Sequence, residues 1–121
     1  MTKRILVVED QVDNRRIMRD LLTSAGFEVI EAVNGNEALS VAEAERPDLI
    51  VMDIQLPKLD GLEATRRIKA NPVLRHIPVI AVTSYAMSED NEKAMTAGCD
   101  AYFAKPVSPR TLLAKIREYL P

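Results

Sequence analysis

Three stretches of the chain are apolar at four consecutive positions: Ile5-Leu6-Val7-Val8, Leu49-Ile50-Val51-Met52 and Val79-Ile80-Ala81-Val82. Unbroken apolarity, unlike alternation, predicts strands covered on both faces, as in a parallel sheet. The chain must therefore place helices on two sides of a sheet. Phe27 to Ala32 is a weaker strand signal carrying Glu28 and Glu31, which fits an edge protected by charge. Ala101-Tyr102-Phe103-Ala104 is a second edge candidate.

Helical spacing fills the gaps. Met18, Leu21, Leu22 and Ala25 form one face of a first helix ending at Gly26. Asn34 and Glu37 read as a variant capping box opening a second, with Ala38, Val41 and Ala42 inward. A third follows Gly61 and turns Leu62, Thr65 and Ile68 to one side. A fourth covers 88–97. The last opens with Ser108-Pro109, an N-cap before proline at the first helical position, and buries Leu112, Leu113, Ile116 and Leu120. The order βαβαβαβαβα predicts a three-layer α/β sandwich with a mainly parallel sheet. Its functional crevice should lie beyond the carboxyl ends of the strands, where strand order reverses.

The strand ends carry chemistry. The first strand ends in Glu9-Asp10, the third in Asp53, the fourth in Thr83-Ser84 and the fifth in Lys105-Pro106. A parallel sheet would bring these distant residues to one edge. Three carboxylates against one ammonium leave an excess of negative charge, which a divalent cation would relieve. Hard oxygen donors suit Mg²⁺ or Mn²⁺, and the sequence has no Cys/His cluster for zinc. Each acid taken singly could be a solvated loop residue; three acids together with Thr83 and Lys105, all at the right strand ends, argue for a site. A carboxylate beside a metal, a hydroxyl and an ammonium suits phosphoryl transfer, with the carboxylate as nucleophile.

Composition bounds the rest. At 121 residues the chain is one domain, expected over 1–121. A net charge of −2 argues against a broad nucleic-acid-binding face. One cysteine permits no internal disulfide. No apolar run nears the ~18 residues of a membrane span. Met1 to Arg4 lacks a signal peptide's cleavage pattern, so a cytoplasmic location is expected, with neither membrane nor nucleic acid as a direct partner.

The motifs resemble those of the receiver domain of two-component response regulators, over essentially the whole chain. They are Ile5 through Asp10, Asp48 through Pro57 with Asp60-Gly61, Pro78 through Ser84, and Ala101 through Pro106. The resemblance implies a flavodoxin-like sandwich with a five-stranded parallel sheet in order 2-1-3-4-5. It implies that Asp53 is the phosphoacceptor, that Asp10 and Glu9 are metal ligands (Glu9 largely through water), and that Asp53 and the Gln55 backbone carbonyl complete the set for Mg²⁺. It implies that Thr83 and Lys105 hold the phosphoryl oxygens, that Tyr102 is the aromatic switch residue, and that the Lys105-Pro106 bond is cis. Glu9 is a departure, since many members carry aspartate there; metal binding should survive with altered geometry. The segment from Gly61 to Ile68 is similar to receivers of hybrid kinases and phosphorelays, and the overall pattern to stand-alone cell-cycle regulators of the DivK type.

The implied function is a phosphoacceptor in a two-component phosphorelay. A sensor histidine kinase or histidine phosphotransfer protein would supply the phosphoryl group. The domain would catalyse only its own phosphorylation and dephosphorylation. Output would pass to a protein target through the face of the fourth helix, fifth strand and fifth helix. The given sequence carries no output domain after Pro121, so the expectation is output by protein contact or onward phosphotransfer, unless the chain is an excised piece of a longer protein. Gln55 and Tyr85, each two residues past a site residue, should stand near the path of attacking water, and bulky Tyr85 should slow phosphate loss.

Other readings compete. A haloacid-dehalogenase-like phosphatase needs a second acid two residues after its nucleophile, where this chain has Gln55. A flavodoxin needs a phosphate loop of hydroxyls after the first strand, where this chain has Glu9-Asp10-Gln11-Val12-Asp13. A dinucleotide-binding domain needs a glycine fingerprint that is missing. A phosphorylation-independent adaptor would not need the full site. Arg15, Arg16 and Arg19 are expected on the exposed side of the first helix, as a docking or merely solvated face. Cys99 reads as a buried or half-buried small residue, Met87 and Met95 as core or edge packing in preference to a ligand surface, and His76 as a loop residue.

Overall fold

The computed structural model describes residues 2–54, 60–83, 88–105 and 107–121, with backbone only for 88–91. Strands and helices alternate: β1 (Arg4–Val8), α1 (Val12–Ser24), β2 (Glu28–Ala32), α2 (Gly35–Glu45), β3 (Leu49–Asp53), α3 (Gly61–Ala70), β4 (Val79–Thr83), α4 (Ser88–Ala97), β5 (Ala101–Ala104) and α5 (Pro109–Tyr119). The strands pair in parallel in the order β2-β1-β3-β4-β5. The two charged or short candidates, β2 and β5, are the edges, as expected.

The continuous apolar runs supply two cores. Ile5, Val7, Leu49, Val51, Ile80 and Val82 face α1 and α5, where Leu22, Leu112 and Ile116 complete a buried cluster. Leu6, Val8, Ile50, Met52, Val79 and Ala81 point the other way, onto Ala38 and Ala42 of α2, Ala64 and Ile68 of α3, and Ala94 of α4. Every residue of the three apolar runs therefore faces one core or the other, which explains why none of the runs alternates.

Helix starts follow local chemistry. Asn34 Oδ1 accepts the Glu37 N–H at 2.8 Å, and Asp60 Oδ1 accepts that of Glu63 at 2.9 Å. Each satisfies a donor that the first turn leaves open. Ser108 precedes Pro109 at the start of α5 without a side-chain cap bond.

Cys99 is buried, its Sγ 3.9 Å from Thr65 Oγ1, and burial pushes its thiol pKa up. His76 is an exposed turn residue. Met95 is outside the core, 49% exposed on α4, which leaves edge packing of the two placements expected for it. Met87 lies outside the described residues.

Candidate functional site

Parallel pairing puts the carboxyl ends of β1, β3, β4 and β5 on one edge of the sheet. There the chain delivers the residues its sequence singled out. Glu9 and Asp10 follow β1, Asp53 ends β3, Thr83 ends β4, and Lys105 follows β5. Carboxylate oxygens of Glu9, Asp10 and Asp53 lie within 4.8 Å of one another. Glu9 and Asp53 are each only 6% exposed, while Asp10 faces solvent. Thr83 is buried at 1% exposure.

Lys105 binds the acids together. Its Nζ donates to Glu9 Oε1 at 2.6 Å and to Asp53 Oδ2 at 3.4 Å. Its backbone N–H donates to the Thr83 carbonyl at 2.6 Å, joining the ends of β4 and β5. Burial alone would raise the Glu9 pKa. Its hydrogen bonds with Asp53 and Lys105, the Lys105 charge and the Gln11 N–H outweigh that and hold it below the ordinary value. Burial alone would lower the Lys105 pKa, but the Glu9 bond and the charges of Asp53 and Glu9 raise it. Both groups are thus kept in their charged forms.

The longer arm of glutamate at position 9 has a visible consequence. It reaches Lys105 more closely than Asp53 does. Tyr102, on β5, is half-buried and packs against the core on the α2, α3 and α4 side. Gln55, Ser84, Tyr85 and Pro106 lie outside the described residues, so the expected carbonyl ligand, the water-path residues and the cis bond are not located.

The start of α3 lies tight against the end of β3. The Gly61 N–H donates to the Ile54 carbonyl at 3.0 Å. A Cβ on Gly61 would collide with the Asp53 carbonyl oxygen and stand 2.8 Å from Ile54 Cα. Glycine lets α3 start against the backbone that carries Asp53.

One expectation is corrected. Arg15 does not lie with Arg16 on the solvent side of α1. Its side chain is 18% exposed and pairs through Nε with Glu31 Oε1 at 3.3 Å. Its Nη1 donates to the Glu9 carbonyl at 3.0 Å. Helical periodicity alone could not show this, because the acceptors come from the residue after β1 and from β2. A pointer was present in Glu31, a charge near the end of a half-covered edge strand.

A cavity of about 380 Å³ opens beside the acidic cluster, between α1 and α5. Ile17, Met18, Leu21, Val107, Pro109 and Leu112 form its apolar wall, and Glu9 and Lys105 line it as well.

The family described as response regulator receiver domain matches residues 5–117. The polar-differentiation response regulator DivK of Brucella anthropi is 48% identical over 120 residues, 99% of this chain and 98% of that protein. Among solved structures, the receiver domain of sensor histidine kinase PA1611 from Pseudomonas aeruginosa aligns with a TM-score of 0.91 at 37% identity, covering 98% of each chain. That structure has a magnesium ion coordinated in the active-site cleft. A CheY-like receiver domain protein from Methanospirillum hungatei aligns with a TM-score of 0.92 at 37% identity, covering 99% of this chain and 94% of that one.

Proposed function

This chain belongs to the response regulator receiver domain family, and on that premise we propose that Asp53 accepts a phosphoryl group from a partner's phosphohistidine in a Mg²⁺-dependent reaction. The observation that carries the reading is the convergence of Glu9, Asp10 and Asp53 oxygens within 4.8 Å, with Lys105 Nζ 3.4 Å from Asp53. The receiver unit is proposed to run over 1–121, in the cytoplasm.

The donor set fits the metal. Three carboxylates offer hard oxygen atoms at one sheet edge, two of them withdrawn from solvent. Glu9, Asp10, Asp53 and the Gln55 carbonyl would hold Mg²⁺, with Mn²⁺ as a substitute. The bound cation would neutralise charge on the transferred phosphoryl oxygens.

The chain's own groups do the remaining work. An Asp53 carboxylate oxygen attacks the phosphorus in line, the P–N bond to the donor imidazole breaks, and an acyl phosphate forms. Lys105 is already within reach of Asp53, so its ammonium meets the incoming oxygens with little movement. Thr83 contributes a hydroxyl from the neighbouring strand end. Hydrolysis of the acyl phosphate by water resets the domain. Self-phosphorylation and self-dephosphorylation are its proposed catalytic acts.

Phosphorylation biases an equilibrium between two states, because Thr83 and Lys105 hold the new oxygens best in one of them. Tyr102 follows Thr83 inward and alters the α4-β5-α5 face, where a protein target reads the change. Upstream, the histidine kinase or phosphotransfer protein docks along the α1–α5 cavity. Ile17 stands 66% exposed at its edge, and Glu9 and Lys105 link it to the acidic cluster.

The test is incubation with acetyl phosphate and Mg²⁺, followed by intact mass of wild type and Asp53→Asn. A gain of one phosphoryl group in wild type alone is expected. No gain in either protein would favour a phosphorylation-independent adaptor. Steady turnover of small phosphate esters would favour a phosphatase.

A further inference from the structure

Glu9 is gripped on both sides of its Cα. Its N–H donates to the Ala32 carbonyl at 3.0 Å, at the end of β2. Its carbonyl accepts Arg15 Nη1 at 3.0 Å, from the second turn of α1. Arg15 is in turn anchored through Nε to Glu31, the neighbour of Ala32, at 3.3 Å. The last two residues of β2 therefore hold both peptide planes that flank Glu9, one directly and one through Arg15.

Peptide planes are rigid, so fixing the two around one Cα fixes the direction of its side chain. The second plane also carries the Asp10 nitrogen. One guanidinium bond thus bears on two of the three clustered carboxylates. Glu9 has three rotatable side-chain bonds, one more than aspartate. A long arm needs a firmly held base if its carboxylate is to stay beside Asp53.

We propose that Arg15, held by Glu31, is a positioning residue that aims Glu9 and Asp10 at the cation site. The inference rests on the Mg²⁺ reading above. Arg15 touches neither the cation nor Asp53, and it acts through the Glu9 carbonyl. Its positive charge works against cation binding, so geometry and charge make opposite predictions. Lysine keeps the charge but has one nitrogen, which cannot serve the Glu9 carbonyl and Glu31 as two nitrogens of the arginine fork do.

The experiment is calorimetric Mg²⁺ titration of the full chain, unphosphorylated, for wild type, Arg15→Met, Arg15→Lys, Glu31→Gln and the solvent-facing control Arg16→Ala. Groups that orient metal ligands from outside typically matter by about tenfold or more, so Arg15→Met should weaken Mg²⁺ about tenfold. Arg15→Lys should recover only part of this, Glu31→Gln should weaken binding in the same direction, and Arg16→Ala should stay within about twofold of wild type. The Asp10 amide resonance should shift in Arg15→Met and stay in place in Arg16→Ala. A merely stabilising Arg15 would lower the melting temperature and leave Mg²⁺ affinity alone. Wild-type or tighter binding by Arg15→Met, or full rescue by lysine, overturns the proposal. If Arg15→Met does not fold, Glu31→Gln decides: unchanged affinity overturns the proposal. A wild type that binds no Mg²⁺ overturns the metal reading and this inference together; a wild type that binds while the variants match it overturns this inference alone.

Discussion

Replacing Gly61 by alanine should damage stability and phosphorylation at once, because the new methyl group points at the backbone carrying Asp53. The Cβ would collide with the Asp53 carbonyl oxygen, and would stand 2.8 Å from Ile54 Cα and 3.0 Å from Asp53 C. Carbon atoms pack comfortably at about 3.5–4.0 Å, so helix and strand must separate by roughly 1 Å. Neither side can yield cheaply. Asp53 is locked into the sheet, and Gly61 begins a helix whose N-cap, Asp60, is already bonded to the Glu63 N–H. Overpacking of this kind costs about 2 kcal/mol. For a domain of 121 residues that lowers the melting temperature by about 8 °C. A displacement of about 1 Å at a reacting group slows the chemistry by about 100-fold. Thermal unfolding and the rate of mass gain from acetyl phosphate measure the two effects. Gly26→Ala is the control: Gly26 has φ +96° and nothing within 4 Å of its would-be Cβ. It should lose stability through backbone strain alone and phosphorylate normally. Equal phosphorylation rates for Gly61→Ala and wild type would refute the argument, as would equal slowing in both glycine variants.

Two other outcomes follow from the site and a third from the sequence expectation for Tyr85. Removing the Lys105 ammonium, 2.6 Å from Glu9 and 3.4 Å from Asp53, leaves the carboxylates uncompensated. Lys105→Met should bind Mg²⁺ several-fold more tightly in calorimetry yet gain phosphate at least about tenfold more slowly. Without metal, stability should fall on both pH flanks. The lowered pKa of Glu9 makes its contribution full above pH 4.5 and lost as pH falls through the folded value; the raised pKa of Lys105 makes its own full below pH 10.5 and lost as pH rises through the folded value. Urea unfolding of Glu9→Gln in EDTA should show a shallower acid flank than wild type; an identical flank would count against the pairing. Finally, Tyr85→Ala should shorten the phosphoryl lifetime measured by loss of the added mass, and an unchanged lifetime removes the proposed screening of water.

How much of this could be read from the sequence depended on the range of the interaction. The three unbroken apolar runs announce a sheet covered on both faces, and each of their positions does face one of the two cores. Glu28 and Glu31 mark an edge correctly, since a charge there can still reach water. Glu9, Asp10, Asp53, Thr83 and Lys105 were legible because strand ends converge in any parallel sheet. Arg15 was not: its role depends on Nη1 and Nε meeting acceptors on two other parts of the chain, the residue after β1 and the end of β2, and helical spacing describes only the helix itself. Met95 reads as core or edge packing, and only the placement of its helix decides for the edge. Gly61 is legible as a helix start, but the collision that a side chain there would cause arises only when α3 meets the end of β3.

The short bond from the Lys105 N–H to the Thr83 carbonyl has a consequence for how a signal leaves the site. The ammonium and the hydroxyl hang from backbones fastened to each other, so they behave as one lever with two prongs. A force on either side chain is therefore passed, through that one bond, to the backbone that carries the other.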